Sequence, residues 1–392
     1  MLKLLADENI PQVHEAFGAF GTVTTMRGRD IGPAEVAHQD VLLVRSVTRV
    51  DDALLHNSSV QFVGTATIGV DHIDLQALEA RGIGFASCPG SNAESVACYV
   101  TCALLELAER LGLRLADSTL GVVGVGNVGR RVVTKAKALG MKVLCNDPPR
   151  ARREPEGSFV PLNALLRGSD MVTLHTPLTR TGPDATYRLI NAETLAQLRP
   201  GAALLNSGRG DVVDEAALRQ ALHSGHVGAA ALDVWANEPR IDGNTLALVE
   251  LATPHIAGYA IDGKVRGTTM LTEALANWLE QPNPWDPQPH LRTLPAPSLH
   301  GVGDGQRSLE DELRSICRQA NHVRGDDRRL REALAVADGP RQRGSAFDRL
   351  RKTYPLRREF GQLTVFMATP NTALVERLEA LGFDVQSRPN AP

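Results

Sequence analysis

The stretch from Leu120 to Asp147 constrains this chain more than any other. It opens on an apolar run, Leu-Gly-Val-Val-Gly-Val, passes through a glycine-rich turn into a segment of helical periodicity, and closes on Met-Lys-Val-Leu-Cys-Asn before Asp147. Gly124, Gly126 and Gly129 stand as G-x-G-x-x-G, and Val128, Val132, Val133, Ala136 and Leu139 recur at helical spacing behind them. The first glycine permits a tight turn, the second lets backbone approach a pyrophosphate, and the third allows close packing of helix on strand. Amides at the helix start, at Asn127 and Val128, then face the phosphates. Asp147 falls 18 residues beyond the last glycine, where an acid accepts hydrogen bonds from both ribose hydroxyls. The stretch therefore predicts a Rossmann βαβ unit that binds NAD in preference to NADP. A Rossmann-like fold without a ligand is the alternative.

At 392 residues the chain is long enough for two or three domains, each with its own core. Its 42 basic and 45 acidic residues leave a net charge of −3, so no global field recruits nucleic acid or an anionic membrane. The five cysteines form no C-x-x-C pair and are odd in number, which points to reduced thiols in a cytoplasmic protein and away from metal binding. No apolar run approaches the eighteen or so residues of a membrane span, and the expectation is a soluble, intracellular protein.

Before the glycine turn, strand-like runs at 2–6, 41–44, 60–64 and 83–86 alternate with polar or helical segments and predict a second parallel sheet. Ligand contacts are expected just past the carboxyl ends of such strands, where Arg45, Ser46 and Thr67 together offer donors for an anion. Asp71 and His72 read as a hydrogen-bonding pair at a helix start. A long helix over 92–110 is expected to cross from this region into the nucleotide domain, with Cys98 and Cys102 packed in its core face. Beyond Asp147 the run Pro-Pro-Arg-Ala-Arg-Arg-Glu-Pro-Glu-Gly reads as a polar loop closed to helix, and its interleaved acids argue against a nucleic-acid site.

Later strand ends return chemistry to the nucleotide crevice. The run 170–175 delivers Thr176, the run 200–206 delivers Ser207-Gly208-Arg209-Gly210, and 228–232 leads to Asp233 and Glu238. The segment Thr-Pro-His255-Ile-Ala-Gly258-Tyr259 adds a histidine. An arginine on a glycine-flanked turn suits a carboxylate, and a histidine oriented by a glutamate suits removal of a hydroxyl proton. Together with a nicotinamide these three groups fit oxidation of a secondary alcohol.

With these motifs the chain resembles the D-isomer-specific 2-hydroxyacid dehydrogenase family. The segments 6–11, 44–48, 64–72, 124–129, 147–150, 232–235 and 253–259 carry the similarity. The resemblance implies Arg209, Glu238 and His255 as the catalytic set, and Ser46, Thr67 and Tyr259 as substrate contacts beside Arg45. It implies Asp147, Thr176, Ser207, Gly208, Arg209, Asp233 and Gly258 as cofactor contacts. The implied fold is α/β: a Rossmann NAD-binding domain over 96–259, a discontinuous flavodoxin-like substrate domain over 1–95 and 260–280, a proline-rich linker over 281–298 and a small C-terminal α/β dimerisation domain over 299–392. The implied activity is NAD-dependent oxidation of a small phosphorylated 2-hydroxy acid by a homodimer. An NAD-binding, corepressor-like scaffold is the non-enzymatic alternative, and a regulatory ligand-binding role is the alternative for the C-terminal segment.

Overall fold

Strands β1 (Leu2–Asp7), β2 (Gly21–Met26), β3 (Val41–Val44), β4 (Phe62–Thr65) and β5 (Gly84–Ala86) form one parallel sheet in the computed structural model, which describes residues 1–369 and 371–387. Their order, β2-β1-β3-β4-β5, is the flavodoxin-like one. The wholly buried β3 and β4 read as continuous apolar runs because helices cover both faces of a parallel sheet. Strand β2 lies outside the sequence expectation. Its alternating Gly-Thr-Val-Thr-Thr-Met pattern is that of an edge strand, pairing with β1 alone. The helix Ile261–Trp278 returns to this sheet, burying Leu271 and Leu275 with Leu43 and Phe62 and tilting Trp278 onto the Phe62 ring at 5.5 Å. These elements make one compact unit, residues 1–92 with 260–295.

The second unit holds residues 93–259 and the chain from 296 onward. Strands β6 (Thr119–Val123), β7 (Lys142–Asn146), β8 (Met171–Leu174), β9 (Ala202–Asn206), β10 (Val227–Leu232) and β11 (Leu251–Ala252) form a parallel sheet in the order β11-β10-β9-β8-β6-β7. A single bridge, Cys145 to Phe159, extends it beyond β7 where a doubly wound sheet places its third strand. The order reverses between β6 and β8, so their carboxyl ends open the ligand crevice. The helix Ala93–Leu111 begins at the unit boundary and lies wholly in this unit, so it does not cross between the two as expected. Cys98 and Cys102 are buried in its core face.

Two further expectations are corrected. A helix, Pro148–Arg153, follows Asp147 directly, because proline at a first helical position has no amide to lose. The proline-rich segment over 281–298 is not wholly a linker, since Gln288–Thr293 is helical and the chain through Pro295 groups with the first unit. The C-terminal region builds its own parallel sheet from β12 (Leu299–Gly301), β13 (Thr364–Met367) and β14 (Asp384–Ser387), with helices Leu309–Ala320, Val323–Ala335, Gly339–Lys352 and Thr372–Ala380. It does not stand apart. Leu313, Ile316, Val323, Phe360 and Val365 share one core with Tyr99, Leu105 and Leu120, while Leu330 and Phe347 join the core behind β9 and β10. Among the described residues no helix is long and apolar enough to cross a membrane.

Candidate active site

The nucleotide end of the second unit is built by close approach. Gly124 has φ +84°, a region open to glycine, and a Cβ there would lie 2.9 Å from the His175 carbonyl. A Cβ on Gly129 would sit 2.0 Å from Gly124 O, so the helix Asn127–Ala138 can lie against the turn only without a side chain. Gly126 differs, since a Cβ there meets nothing within 4 Å, and the space beside the turn is open to a ligand. Asp147 at the end of β7 accepts from the Val125 amide at 2.8 Å and from the Arg150 amide at 3.0 Å, tying the turn to the next helix. Thr176, past β8, has a buried hydroxyl without a hydrogen-bond partner among the described residues. An orphaned hydroxyl, an open glycine cradle and a fixed acid suit a dinucleotide, with Asn127 and Val128 at the helix start.

His175 lies 3.0 Å from the Thr173 hydroxyl through Nε2 and 3.3 Å from the Ser207 hydroxyl through Nδ1. Burial pushes its pKa down to about 3, so it stays neutral and seats Ser207. Gly208 donates to the Asn206 side chain at 3.0 Å, and Asn206 donates to the Arg209 carbonyl at 2.9 Å, which closes the turn that presents half-buried Arg209. A Cβ on Gly210 would meet the Trp235 carbonyl carbon at 2.0 Å. That contact presses the Arg209 turn against the segment leading to Glu238.

Glu238 Oε2 and His255 Nδ1 are 2.7 Å apart, while Glu238 Oε1 accepts from the Trp235 amide at 2.8 Å. Burial works against the Glu238 anion, but the His255 ring, Arg351 and the Trp235 amide outweigh it and hold the carboxyl below its ordinary range. His255 adopts φ +55°, a left-handed conformation costing of order 1–3 kcal/mol, kept only where the surroundings over-determine it. Asp233 is part of that enforcement. It is 1% exposed, and its carboxylate accepts from the Ile256 and Ala257 amides at 2.8 and 3.0 Å and from the Thr253 hydroxyl at 2.6 Å. Tyr99 reaches the same Thr253 hydroxyl at 2.8 Å. Burial holds Asp233 above the ordinary carboxylate range despite these donors. Past Gly258, the Tyr259 hydroxyl accepts from Arg351 Nε at 3.1 Å.

In the first unit, Arg45 and exposed Ser46 follow β3, and Thr67 follows β4. The Thr67 hydroxyl lies 2.8 Å from that of Thr65 and donates to Gly69 O at 2.8 Å, and Thr65 is 2.9 Å from His72 Nε2. The helix that follows is capped by Asp74, accepting from the Ala77 amide, so Asp71 and His72 do not start it.

The structure thus brings Arg209, Glu238, His255 and Tyr259 into one unit around adjoining loops. Sequence reasoning missed the loop-holding role of Asp233. The proximity of Arg351 and Arg357 has no local signal, since their partners lie about a hundred residues earlier.

A family model described as D-isomer specific 2-hydroxyacid dehydrogenase, NAD binding domain, matches residues 101–257, and one described as a domain of unknown function (DUF3410) matches 293–382. An erythronate-4-phosphate dehydrogenase of Salinibacter ruber is 50% identical over 378 residues, covering 95% of each chain. One of Azotobacter vinelandii is 47% identical over 384 residues, covering 97% of this chain and 99% of its own. Among solved structures, the D-lactate dehydrogenase of Aquifex aeolicus complexed with NAD and lactic acid superposes with a TM-score of 0.62 at 26% identity, over 71% of this chain and 95% of that one. The TT0316 protein of Thermus thermophilus gives 0.62 at 30% identity, over 72% and 99%. The chain belongs to the D-isomer specific 2-hydroxyacid dehydrogenase family, within the branch of the erythronate-4-phosphate dehydrogenases, and is an NAD-dependent oxidoreductase.

Proposed function

We propose that the chain oxidises C2 of 4-phospho-D-erythronate to 3-hydroxy-2-oxo-4-phosphooxybutanoate, a step toward pyridoxal 5′-phosphate, in the cytoplasm. The observation that carries this is the Glu238–His255 pair beside the turn of Arg209, in a chain 50% identical to the erythronate-4-phosphate dehydrogenase of Salinibacter ruber over nearly its whole length. Bound NAD supplies the acceptor for the C2 hydride. His255 Nε2 takes the C2 hydroxyl proton, while Glu238 holds Nδ1 and fixes the ring. The Arg209 guanidinium meets the carboxylate with its planar fork. Arg45, Ser46 and Thr67 are the donors assigned to the phosphate, and Tyr259 is assigned to the substrate near the reacting carbon. Thr176, Ser207, Gly208, Asp233 and Gly258 border the cofactor, and Asp147 disfavours a 2′-phosphate through like charge.

The C-terminal region also pairs two chains. Val302, Leu309, Val336 and Leu356 are all exposed there, and a second copy would cover apolar surface of this kind. Light scattering of the full chain should give twice the chain mass, and a monomer would remove this assignment. For the activity, kcat/KM is compared among 4-phosphoerythronate, erythronate, 3-phosphoglycerate and D-lactate, with a 2-oxo acid present to reoxidise retained NADH. The phosphorylated four-carbon acid should lead by at least about tenfold over erythronate, the worth of one charge-assisted bond. Preference for 3-phosphoglycerate would reassign the substrate, and equal use of both erythronates would discard the phosphate donors.

A further inference from the structure

The loop that carries His255 and Tyr259 is held on two sides. On one, its amides are taken by Asp233, through the main-chain carbonyl for His255 at 2.7 Å and the carboxylate for Ile256 and Ala257. On the other, the Arg357 guanidinium, 6% exposed, donates to Ile256 O at 3.1 Å and to Ala257 O. Anion on the amide side and cation on the carbonyl side both follow the peptide dipoles, and the bonds made by the Asp233 carboxylate and the Arg357 guanidinium are charge-assisted. Arg351 donates to the Tyr259 hydroxyl at 3.1 Å, and the Tyr354 ring meets the Tyr259 ring edge-on at 5.9 Å. Tyr354 is fixed in turn by its hydroxyl donating to Asp326 at 2.8 Å, and Glu359 accepts from Ser95 at 2.7 Å. Arg351, Tyr354 and Arg357 all lie in the region matched by a domain of unknown function.

We infer that the segment Arg351–Arg357 is a positioning element of the hydride-transfer site within its own chain: Arg357 clamps the Ile256–Ala257 backbone that directly follows the left-handed His255, and Arg351 sets the phenol of Tyr259. The inference rests on the assignment of His255 and Tyr259 to the reaction. Neither arginine is asked to touch the substrate. Both act through the loop, and the C-terminal region thereby serves every protomer besides any pairing it makes.

The test uses full-length Arg357→Met, Arg357→Lys and Arg351→Met. NADH-binding sites are counted by fluorescence, kcat is expressed per site, and amide exchange is followed at Ile256 and Ala257. Arg357→Met should bind NADH at full stoichiometry, lose about tenfold or more in kcat per site, and exchange both amides about tenfold faster, since small misplacements of a base are costly. Arg357→Lys should recover part of both effects, and Arg351→Met should raise KM more than it lowers kcat. Unchanged kcat per site with unchanged exchange in Arg357→Met would overturn the inference, as would a lowered melting temperature alone. Should Arg357→Met fail to fold, the same two readouts on Arg357→Lys decide, each expected to move in the same direction and more weakly. Should the wild-type chain not oxidise 4-phosphoerythronate, the substrate proposal falls, and amide exchange still decides the clamp.

Discussion

At the scale of single residues, the three glycines of the nucleotide turn are not equivalent, and the difference is measurable. An added methyl at Gly129 collides with Gly124 O inside the protein, whereas one at Gly126 points into open space. Gly129→Ala should therefore lower both the melting temperature and NADH affinity, the latter by about tenfold, or about 1.4 kcal/mol. Gly126→Ala should lower affinity alone, and equal melting losses in the two variants would refute the distinction. Glu238 supplies a pH-dependent prediction. Its carboxyl titrates below the ordinary range in the folded chain, so its contribution is complete above the unfolded value of about 4.3 and is lost as pH falls through the folded one. The urea midpoint of Glu238→Gln should trail that of the wild type most near neutrality, and the gap should close in acid. A gap independent of pH would show that the carboxylate charge plays no part.

At the scale of elements, a buried carboxylate joins the helix Ala93–Leu111 to the C-terminal helices. Glu106 has a side chain only 2% exposed, and it accepts from Arg318 Nε at 2.5 Å and from Arg324 Nε. Burial raises its pKa, but the hydrogen bonds and charges of the two arginines bring it below the ordinary value. Arg324→Met leaves the anion half-compensated, and breaking such a pair should cost about 3 kcal/mol in urea unfolding. A loss under about 1 kcal/mol would place this contact among ordinary surface pairs. Elements with strong periodicity were legible in the sequence, among them the long helix expected over 92–110, observed as Ala93–Leu111, and the helix behind the glycine turn, observed as Asn127–Ala138. Others were not. Val323–Ala335 and Gly339–Lys352 are so rich in charge that Val323, Leu330, Leu334, Ala346 and Phe347 hardly make a stripe. The helix after Asp147 was hidden by prolines that read as breakers away from a first turn.

At the scale of the whole molecule, the C-terminal region behaves as part of the nucleotide-binding unit. A chain ending at Pro295 would strip Leu313, Ile316, Val323, Phe360 and Val365 from a shared core. At about 1.5–3 kcal/mol for each buried side chain, that loss rivals the roughly 5–15 kcal/mol by which a domain is stable. Such a truncation should show no cooperative thermal transition by circular dichroism, rather than the folded monomer that a detachable pairing domain would leave. A sharp transition near that of the full chain would contradict this. The sequence alone determined what depends on neighbours along the chain: the glycine turn with its left-handed Gly124, the acid after the second strand, and the candidate site residues that follow successive strand ends. Tertiary structure decided what depends on distant partners. It set Asp233 and Arg357 on opposite sides of one loop and drew Arg351 to Tyr259. A peptide carbonyl can be captured by any arginine that folding brings within reach, and neither periodicity nor spacing records which one arrives.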